Sequence, residues 1–329
     1  MKRAIVFMAA AAALMSSASL HAYLKLGAQA GSKIVPLHWP AFPVRYFVTN
    51  RDVAGVSAPQ LEQAVSRAFA SWAGVGEVPI ASEFVGFTGA APLTGDGMTV
   101  IGFQDHPEMD RVLASTSFTV DTVTGEVVES DVFLNSTFSW SVADGGESGR
   151  QDVESIALHE LGHLLGLGHS ALGETELAGG GRRVIGAASV MFPIAFSAGQ
   201  LNRVPRPDDV AGISDLYAGA SFRSSTGSVT GKVTRNGGGV LGAHVVAFNP
   251  ASGRLVGGFT LSNDGTFTIS GLEPGLQIVR AEPLDDADVS SFLDPAGVDV
   301  DFKPAIYGRF VAVPRGGTSV SIEVKVTSK

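Results

Sequence analysis

The sequence predicts an α+β domain followed by a small all-β domain. Three stretches carry apolar residues at helical spacing, and strand-like runs lie before and between them. After a stretch rich in Ser, Gly and Ala, the pattern changes to short alternating runs separated by Gly and Asn turns. We therefore expect an N-terminal domain over residues 31–219, a linker over 220–227 and a C-terminal β-sandwich over 228–329.

The chain begins with the pattern of a secretory signal peptide, which we place at residues 1–22. Two basic residues precede an apolar core, 4–15, and a region of small residues. Cleavage after Ala18 and cleavage after Ala22 both fit, and an uncleaved anchor is the alternative. The apolar core is short for a bilayer span and no later segment is apolar enough, so we expect an exported protein, extracellular or periplasmic, with no membrane span in the mature chain.

The first helix is predicted over Ser57–Val75. Ser57 and Gln60 have the spacing of a capping box, and Pro59 suits the first turn. One face is apolar, which predicts a core-facing helix; its residues are Leu61, Ala64, Val65, Ala68, Phe69 and Trp72.

The second and third helices are predicted over 152–165 and 207–217. In the third, Pro207 suits a helix start, and Asp208 and Asp209 complement the dipole there. Strands of the same domain are predicted at Val44–Thr49, Ile80–Phe87, Met98–Gln104, Leu113–Val120 and Glu129–Asn135. Those of the C-terminal domain are predicted at Ser228–Thr234, Gly242–Asn249, Phe259–Leu261, Thr266–Ile269, Gln277–Glu282 and Ser319–Val326. The glycine-rich segment 171–188 is expected to be a surface loop, with a cleft wall as the functional alternative.

Composition excludes several classes of function. The formal net charge of −9 argues against nucleic acid as a partner. The chain has no cysteine, which excludes disulfides and thiolate metal sites. A monomer is expected.

The most specific motif is H-E-x-x-H-x-x-G-x-x-H at residues 159–169. His159 and His163 are four apart and share one face of a helix. Gly166 permits a sharp turn after the helix, which returns His169 toward the same ion. Three His ligands leave a fourth position open, as in catalytic zinc sites, and Glu160 is placed to act as general base. The alternative is a helix whose histidines are ordinary core or surface groups.

The motif resembles that of the metzincin zinc endopeptidases, and Ser170 after the third His resembles their matrixin branch. The sequence S-V-M-F-P at 189–193 resembles the family's Met-turn, with Met191 beneath the metal. No tyrosine follows it at the position where other branches carry an extra ligand. The resemblance covers about Val35–Gly219. It implies a twisted, mostly parallel sheet with three helices, a single catalytic Zn²⁺ and a protein or peptide substrate.

The resemblance also implies roles for segments around the motif. Leu113–Phe118 would be the sheet edge that borders the cleft, where an extended peptide can pair with the backbone. Pro193, Ile194 and Phe196 would line the pocket for the substrate side chain after the cut bond. Family members often carry a pro-segment cysteine that caps the zinc, and this chain has none.

The sequence patterns for any further metal sites are weaker than the histidine motif. Matrixins often hold a structural zinc through several His and Asp residues, but only His106 lies in the corresponding stretch, so we predict that this site is missing. Asp121, Asp131 and nearby carbonyls are candidates for a structural Ca²⁺, because calcium prefers oxygen ligands. No spacing among them is diagnostic.

The C-terminal domain resembles the carboxypeptidase-regulatory or transthyretin-like domain. The resemblance rests on the sequences at 242–245, 263–267 and 271–275. Such a fold says little about function. His244 lies within a strand pattern and is expected to be structural.

Two functions follow. The first is an exported zinc endopeptidase in which Glu160 takes a proton from water and passes it to the leaving amine. The second is a non-catalytic extracellular binding or adhesion protein with a vestigial zinc site, in which the β-sandwich is the working part. The intact Glu160 favours the first.

Overall fold

The computed structural model describes most of the chain, and its described residues are 4–6, 24–30, 33–75, 77–178, 181–285 and 288–329. The predicted signal peptide lies outside them except for residues 4–6, which form a short strand. Within the described residues, no helix is long and apolar enough to cross a membrane.

The N-terminal domain contains three main helices, α1 (Ala58–Ala73), α2 (Val153–Leu164) and α3 (Pro207–Tyr217). Its strands are β1 (Ala4–Val6), β2 (Gly27–Ala30), β3 (Lys33–Pro36), β4 (Val44–Thr49), β5 (Ser82–Thr88), β6 (Val100–Gln104), β7 (Ala114–Val120), β8 (Val127–Asn135), β9 (Trp140–Ser141), β10 (Gln151–Asp152), β11 (Gly173–Ala178) and β12 (Gly181–Ala187).

Six of these strands form one sheet in the order β1-β7-β8-β6-β4-β5. The pairs β8–β6, β6–β4 and β4–β5 are parallel, whereas β7 runs antiparallel to β8. The edge beyond β7 is occupied by β1, also antiparallel. The predicted α+β domain, with a mostly parallel sheet and three helices, is therefore confirmed.

Helices α1 and α2 pack on this sheet through one apolar core. Ser57 and Gln60 form the predicted capping box at the start of α1. The apolar stripe of α1 is fully buried, and Trp72 donates its indole N–H to the Leu158 carbonyl of α2 at 2.9 Å. This contact fixes α2, the helix that carries the histidine motif, against the core.

Three segments differ from the sequence-based expectations. A hairpin of β2 and β3 precedes the predicted first strand, β4. The expected loop at 171–188 contains the hairpin β11–β12, in which Arg182 and Arg183 pair with Thr175 and Glu176 across the strands. The predicted linker contains a short helix, α4 (Ala220–Ser225). Glycine and serine content predicted loops at 171–188 and 220–227. Cross-strand pairs order the first segment, and helical hydrogen bonds order the second.

The C-terminal domain is all β, as predicted. Its elements are β13 (Gly227–Arg235), β14 (Gly238–Gly239), β15 (His244–Phe248), β16 (Leu255–Phe259), β17 (Thr266–Leu272), β18 (Gly275–Glu282), the 3₁₀ turn η1 (Val289–Ser291), β19 (Ala305–Ile306), β20 (Val311–Val313) and β21 (Ile322–Val326). One sheet contains β14, β13, β17 and β21, and the other contains β16, β15, β18, β19 and β20. Both sheets contribute to one core. The strand predicted at Phe259–Leu261 instead spans Leu255–Phe259; the sequence pattern placed it too late, because Gly257 and Gly258 weaken the strand signal within it.

The two domains share a packed interface on α3. Ala211 of α3 belongs to the core of the C-terminal domain. A second cluster joins Val184 and Phe192 of the N-terminal domain to Val289, Phe292 and Leu293 of the C-terminal domain. The η1 turn therefore lies beside the segment that follows the histidine motif.

Candidate active site

Helix α2 presents the first half of the motif. Asp152 caps its N-terminus by accepting the Ser155 backbone N–H at 2.8 Å. His159, Glu160 and His163 lie in its last two turns, with the two histidines on one face. His163 and Glu160 are buried.

Gly166 turns the chain after α2. Its φ is +100°, and a Cβ added there would lie 2.3 Å from the Leu37 carbonyl oxygen. Any residue larger than glycine would therefore meet both backbone strain and a clash. Beyond the turn, Leu167 donates its N–H to the Gly162 carbonyl at 2.9 Å, and His169 returns to the end of the helix.

The three histidines converge through their Nε2 atoms. The Nε2 of His163 lies 3.1 Å from that of His159 and 3.1 Å from that of His169. Among the described residues, these three form the group able to hold a metal ion.

Each Nδ1 atom has a backbone carbonyl partner. The acceptors are Val190 for His159 at 2.7 Å, Leu167 for His163 at 2.8 Å and Ser291 for His169 at 2.5 Å. These contacts place the proton on Nδ1 and direct the Nε2 lone pairs into the cluster.

Burial keeps these histidines neutral. It lowers the pKa of His159, lowers that of His163 well below its usual range and lowers that of His169 to about 3. Neutral imidazoles with converging Nε2 atoms are the donor set that zinc prefers.

Glu160 lies next to the cluster on the sheet side. Its Oε2 accepts the hydroxyl of Thr116, on strand β7, at 2.6 Å. Burial raises the pKa of Glu160 to about 7, while the Thr116 hydrogen bond acts in the opposite direction. The carboxyl group thus has a fixed position and a proton affinity suited to exchange near neutral pH.

Met191 is buried against α2, close to the histidines. A Cβ added at Gly162 would lie 2.2 Å from the Met191 Sδ and 2.9 Å from Trp72. The glycine between the two helical histidines therefore makes room for this methionine. The Met191 carbonyl also accepts the Ser170 N–H at 2.9 Å.

Asp209 holds the segment around Met191 in place. Its carboxylate accepts the backbone N–H groups of Val190 at 2.9 Å and Met191 at 3.3 Å, and the Ser189 hydroxyl at 2.5 Å. It also accepts the Arg206 N–H at 2.7 Å. Since Val190 orients His159, Asp209 acts indirectly on a candidate ligand.

Asp208 connects the motif to the C-terminal domain. Its Oδ2 accepts the hydroxyl of Ser170, the residue after His169, at 2.6 Å. Its Oδ1 accepts the Gly257 N–H of β16 at 2.8 Å. Burial, and next the charge of Asp209, raise the pKa of Asp208 to about 7.

The predicted pocket residues Pro193, Ile194 and Phe196 are half-buried after Met191. Ile194 and Phe196 pack against the cluster that contains Phe192 and the C-terminal Leu293. The apolar cluster beside the predicted pocket residues therefore includes side chains of both domains.

The residues considered for other metals have protein partners. His106 contacts Glu108 through Nδ1 at 2.8 Å. Asp131 accepts the N–H groups of Leu93 at 2.7 Å and Val100 at 2.8 Å, and Asp121 accepts that of Val123. These contacts order loops and give the calcium prediction no support.

Four residues around the site have contacts that the sequence pattern did not predict. Thr116 was placed in the edge strand without a role. Asp208 and Asp209 were interpreted only as a helix start. Ser291 acts through its backbone carbonyl, so its residue type carries no signal.

Comparisons with known proteins agree with this geometry. Residues 38–218 match the model of the Matrixin family, which covers more than half of the chain. The chain is 29% identical over 218 residues to Metalloendoproteinase 5-MMP of Arabidopsis thaliana, an alignment that covers 61% of this chain and 52% of the relative. It is 30% identical over 178 residues to Metalloendoproteinase 2-MMP of the same plant, with coverage of 51% and 40%. The chain thus spans about half or less of these curated relatives.

Proposed function

The chain belongs to the matrixin family of peptidases, and on that premise we propose that it is a zinc-dependent endopeptidase that hydrolyses peptide bonds in proteins. The observation that carries the proposal is the convergence of three Nε2 atoms beside the buried Glu160. The plant relatives reported above are named metalloendoproteinases.

His159, His163 and His169 would hold the zinc ion. Their neutral state and their Nδ1 contacts support this assignment. Bound zinc supplies Lewis-acid chemistry, which polarises a scissile carbonyl and lowers the pKa of water. Met191 would pack beneath the centre without contributing a ligand.

Glu160 would serve as general base. Its carboxylate would accept the proton of the attacking water, and the carboxylic acid would then donate that proton to the leaving amine. Thr116 supports this role, because its hydroxyl fixes the Oε2 atom at 2.6 Å.

Substrate would bind along strand β7 in extended form, in place of β1, whose residues belong to the proposed signal peptide. The outer edge of this strand pairs with residues 4–6 in antiparallel register, which is the kind of pairing that an extended peptide would make there. Pro193, Ile194 and Phe196 would line the pocket for the side chain after the cut bond. We further propose export through the signal peptide at residues 1–22 and a transthyretin-like identity for the C-terminal domain.

The test is hydrolysis of casein by the mature chain, with and without a zinc chelator, beside Glu160→Ala and the exposed control Glu83→Gln. We expect cleavage in wild type and control, loss with chelator, recovery on zinc addition, and a loss of at least about 100-fold in Glu160→Ala with zinc still bound. A zinc-loaded wild type that cleaves no unfolded protein would contradict the proposal and favour the binding-protein alternative.

A further inference from the structure

We propose that the C-terminal domain is part of the metal centre, because the backbone carbonyl of Ser291 positions the third histidine, His169. The inference rests on the proposed zinc site but adds a function for the second domain. It makes the C-terminal domain a determinant of metal affinity and assigns Ser291 as a positioning residue.

A hydrogen bond between the two domains orients His169. The Nδ1 of His169 donates to the Ser291 carbonyl at 2.5 Å, across 122 positions of sequence. His159 and His163 take their acceptors, Val190 and Leu167, from the N-terminal domain. His169 also lies on a loop after α2, so its ring lacks the support of a helix. Its orientation therefore depends on the second domain more than that of either neighbour.

The η1 turn that presents this carbonyl is well ordered by its own contacts. Asp288 accepts the Ser291 hydroxyl at 2.6 Å and, through its carbonyl, the Ser291 N–H at 3.1 Å. Phe292 and Leu293 each donate their N–H to the Val289 carbonyl at 2.9 Å. The carbonyl of Ser291 thus remains free to point outward to the histidine.

The turn is also attached to the N-terminal domain by apolar packing. Val289, Phe292 and Leu293 are buried in a cluster with Val184 and Phe192. This cluster includes residues of the hairpin β11–β12 and of the segment after Met191. It holds η1 against the loop that carries His169.

A second anchor lies one residue beyond the histidine. Asp208 bridges the Ser170 hydroxyl and the Gly257 N–H of β16. The space around Gly257 is tight, since an added Cβ would lie 2.8 Å from the His244 Nε2. The loop is therefore tied to the C-terminal domain at both His169 and Ser170.

Outer partners of this kind set the tautomer and direction of a metal-binding imidazole, and their loss costs about 10–100-fold in metal affinity. Without the Ser291 acceptor, His169 can rotate or move its proton to Nε2. Both changes remove a ligand from the proposed centre.

The test removes, in turn, each partner of the hydrogen bond between the Asp288 and Ser291 side chains, in the full-length mature chain. Asp288→Ala removes the acceptor of the Ser291 hydroxyl, and Ser291→Gly removes its donor and loosens the backbone. Two nearby exposed residues give controls that leave the backbone of η1 as it is, Asp294→Ala and Ser290→Ala. The zinc dissociation constant is measured by chelator competition, together with the visible spectrum of the cobalt-substituted protein and the melting temperature of the metal-free protein.

We expect both turn variants to raise the zinc dissociation constant about tenfold or more and to change the cobalt spectrum. The controls keep wild-type affinity, and all metal-free variants melt within about 4 °C of wild type, the shift expected for about 1 kcal/mol or less. Unchanged zinc affinity in both turn variants would overturn the inference while leaving the peptidase proposal intact. A wild type that binds zinc but cleaves nothing would instead contradict only the proposed function.

Discussion

The first two histidines of the cluster are held by the N-terminal domain alone, whereas the third depends on both domains. His159 and His163 extend from α2, and their acceptors lie within the same domain. His169 follows the Gly166 turn and takes its acceptor from Ser291. The difference shows that a motif contiguous in sequence can be completed by a domain far along the chain.

The largest effect is expected at Asp209, on the side of the N-terminal domain. Asp209→Ala leaves the Val190 and Arg206 N–H groups without their acceptor, so the free energy of unfolding should fall by about 3 kcal/mol. Zinc affinity should also fall, because Val190 orients His159. Urea unfolding and chelator competition measure both quantities. A loss below about 1 kcal/mol would mean that this segment is held by packing alone.

Gly162 tests the packing beneath the same helical pair. Gly162→Ala should cost about 2 kcal/mol, because overpacking against Met191 and Trp72 exceeds the gain in helix propensity. Gly186→Ala is the matched control, since an added Cβ there meets nothing within 4 Å. Thermal unfolding of the metal-free proteins measures the difference. Equal melting temperatures would contradict the close approach of Met191 to α2.

A substitution at Thr116 distinguishes an effect on the proposed general base from an effect on the metal ligands. Thr116→Val keeps the shape of the side chain but removes the hydroxyl that fixes Glu160, so kcat/KM should fall about tenfold while zinc affinity stays unchanged. Thr119→Val, on the opposite face of β7, is the control. A parallel loss of zinc affinity would show that Thr116 supports the ligands instead.

The pH dependence of stability tests the contact between Asp208 and the second domain. Because the folded pKa of Asp208 is raised to about 7, its contribution to stability is present below the unfolded pKa of about 4 and is lost as pH rises through about 7. Relative to Asp208→Asn, which does not titrate, the wild type should lose free energy of unfolding between about pH 4 and pH 7. Urea unfolding in chelator measures this trend. A difference independent of pH would contradict the raised pKa.

Local patterns predicted the parts of the fold that local forces decide. The capping box and apolar stripe of α1 and the bounds of α3, Pro207–Tyr217, are confirmed. The hairpin β11–β12 was missed because its glycines resemble a loop, and its order comes from cross-strand pairs. Cross-strand pairing is a tertiary property and leaves little trace in composition.

In the candidate site, too, local sequence patterns predicted some residues, and tertiary contacts decided the others. The histidines and Glu160 were predictable, because their chemistry requires those residue types at that spacing. Asp209 was predicted at a helix start, but its contact with the Met191 segment depends on how α3 is placed. Ser291 could not be predicted, since any residue type supplies the same carbonyl.

The most direct test of the account is a crystal structure of the full mature chain with zinc, using anomalous scattering at the zinc edge. We predict one zinc ion within about 2.1 Å of the Nε2 atoms of His159, His163 and His169, with the His169 Nδ1 hydrogen-bonded to the Ser291 carbonyl. Zinc at another site, or a His169 ring turned away from Ser291, would contradict it.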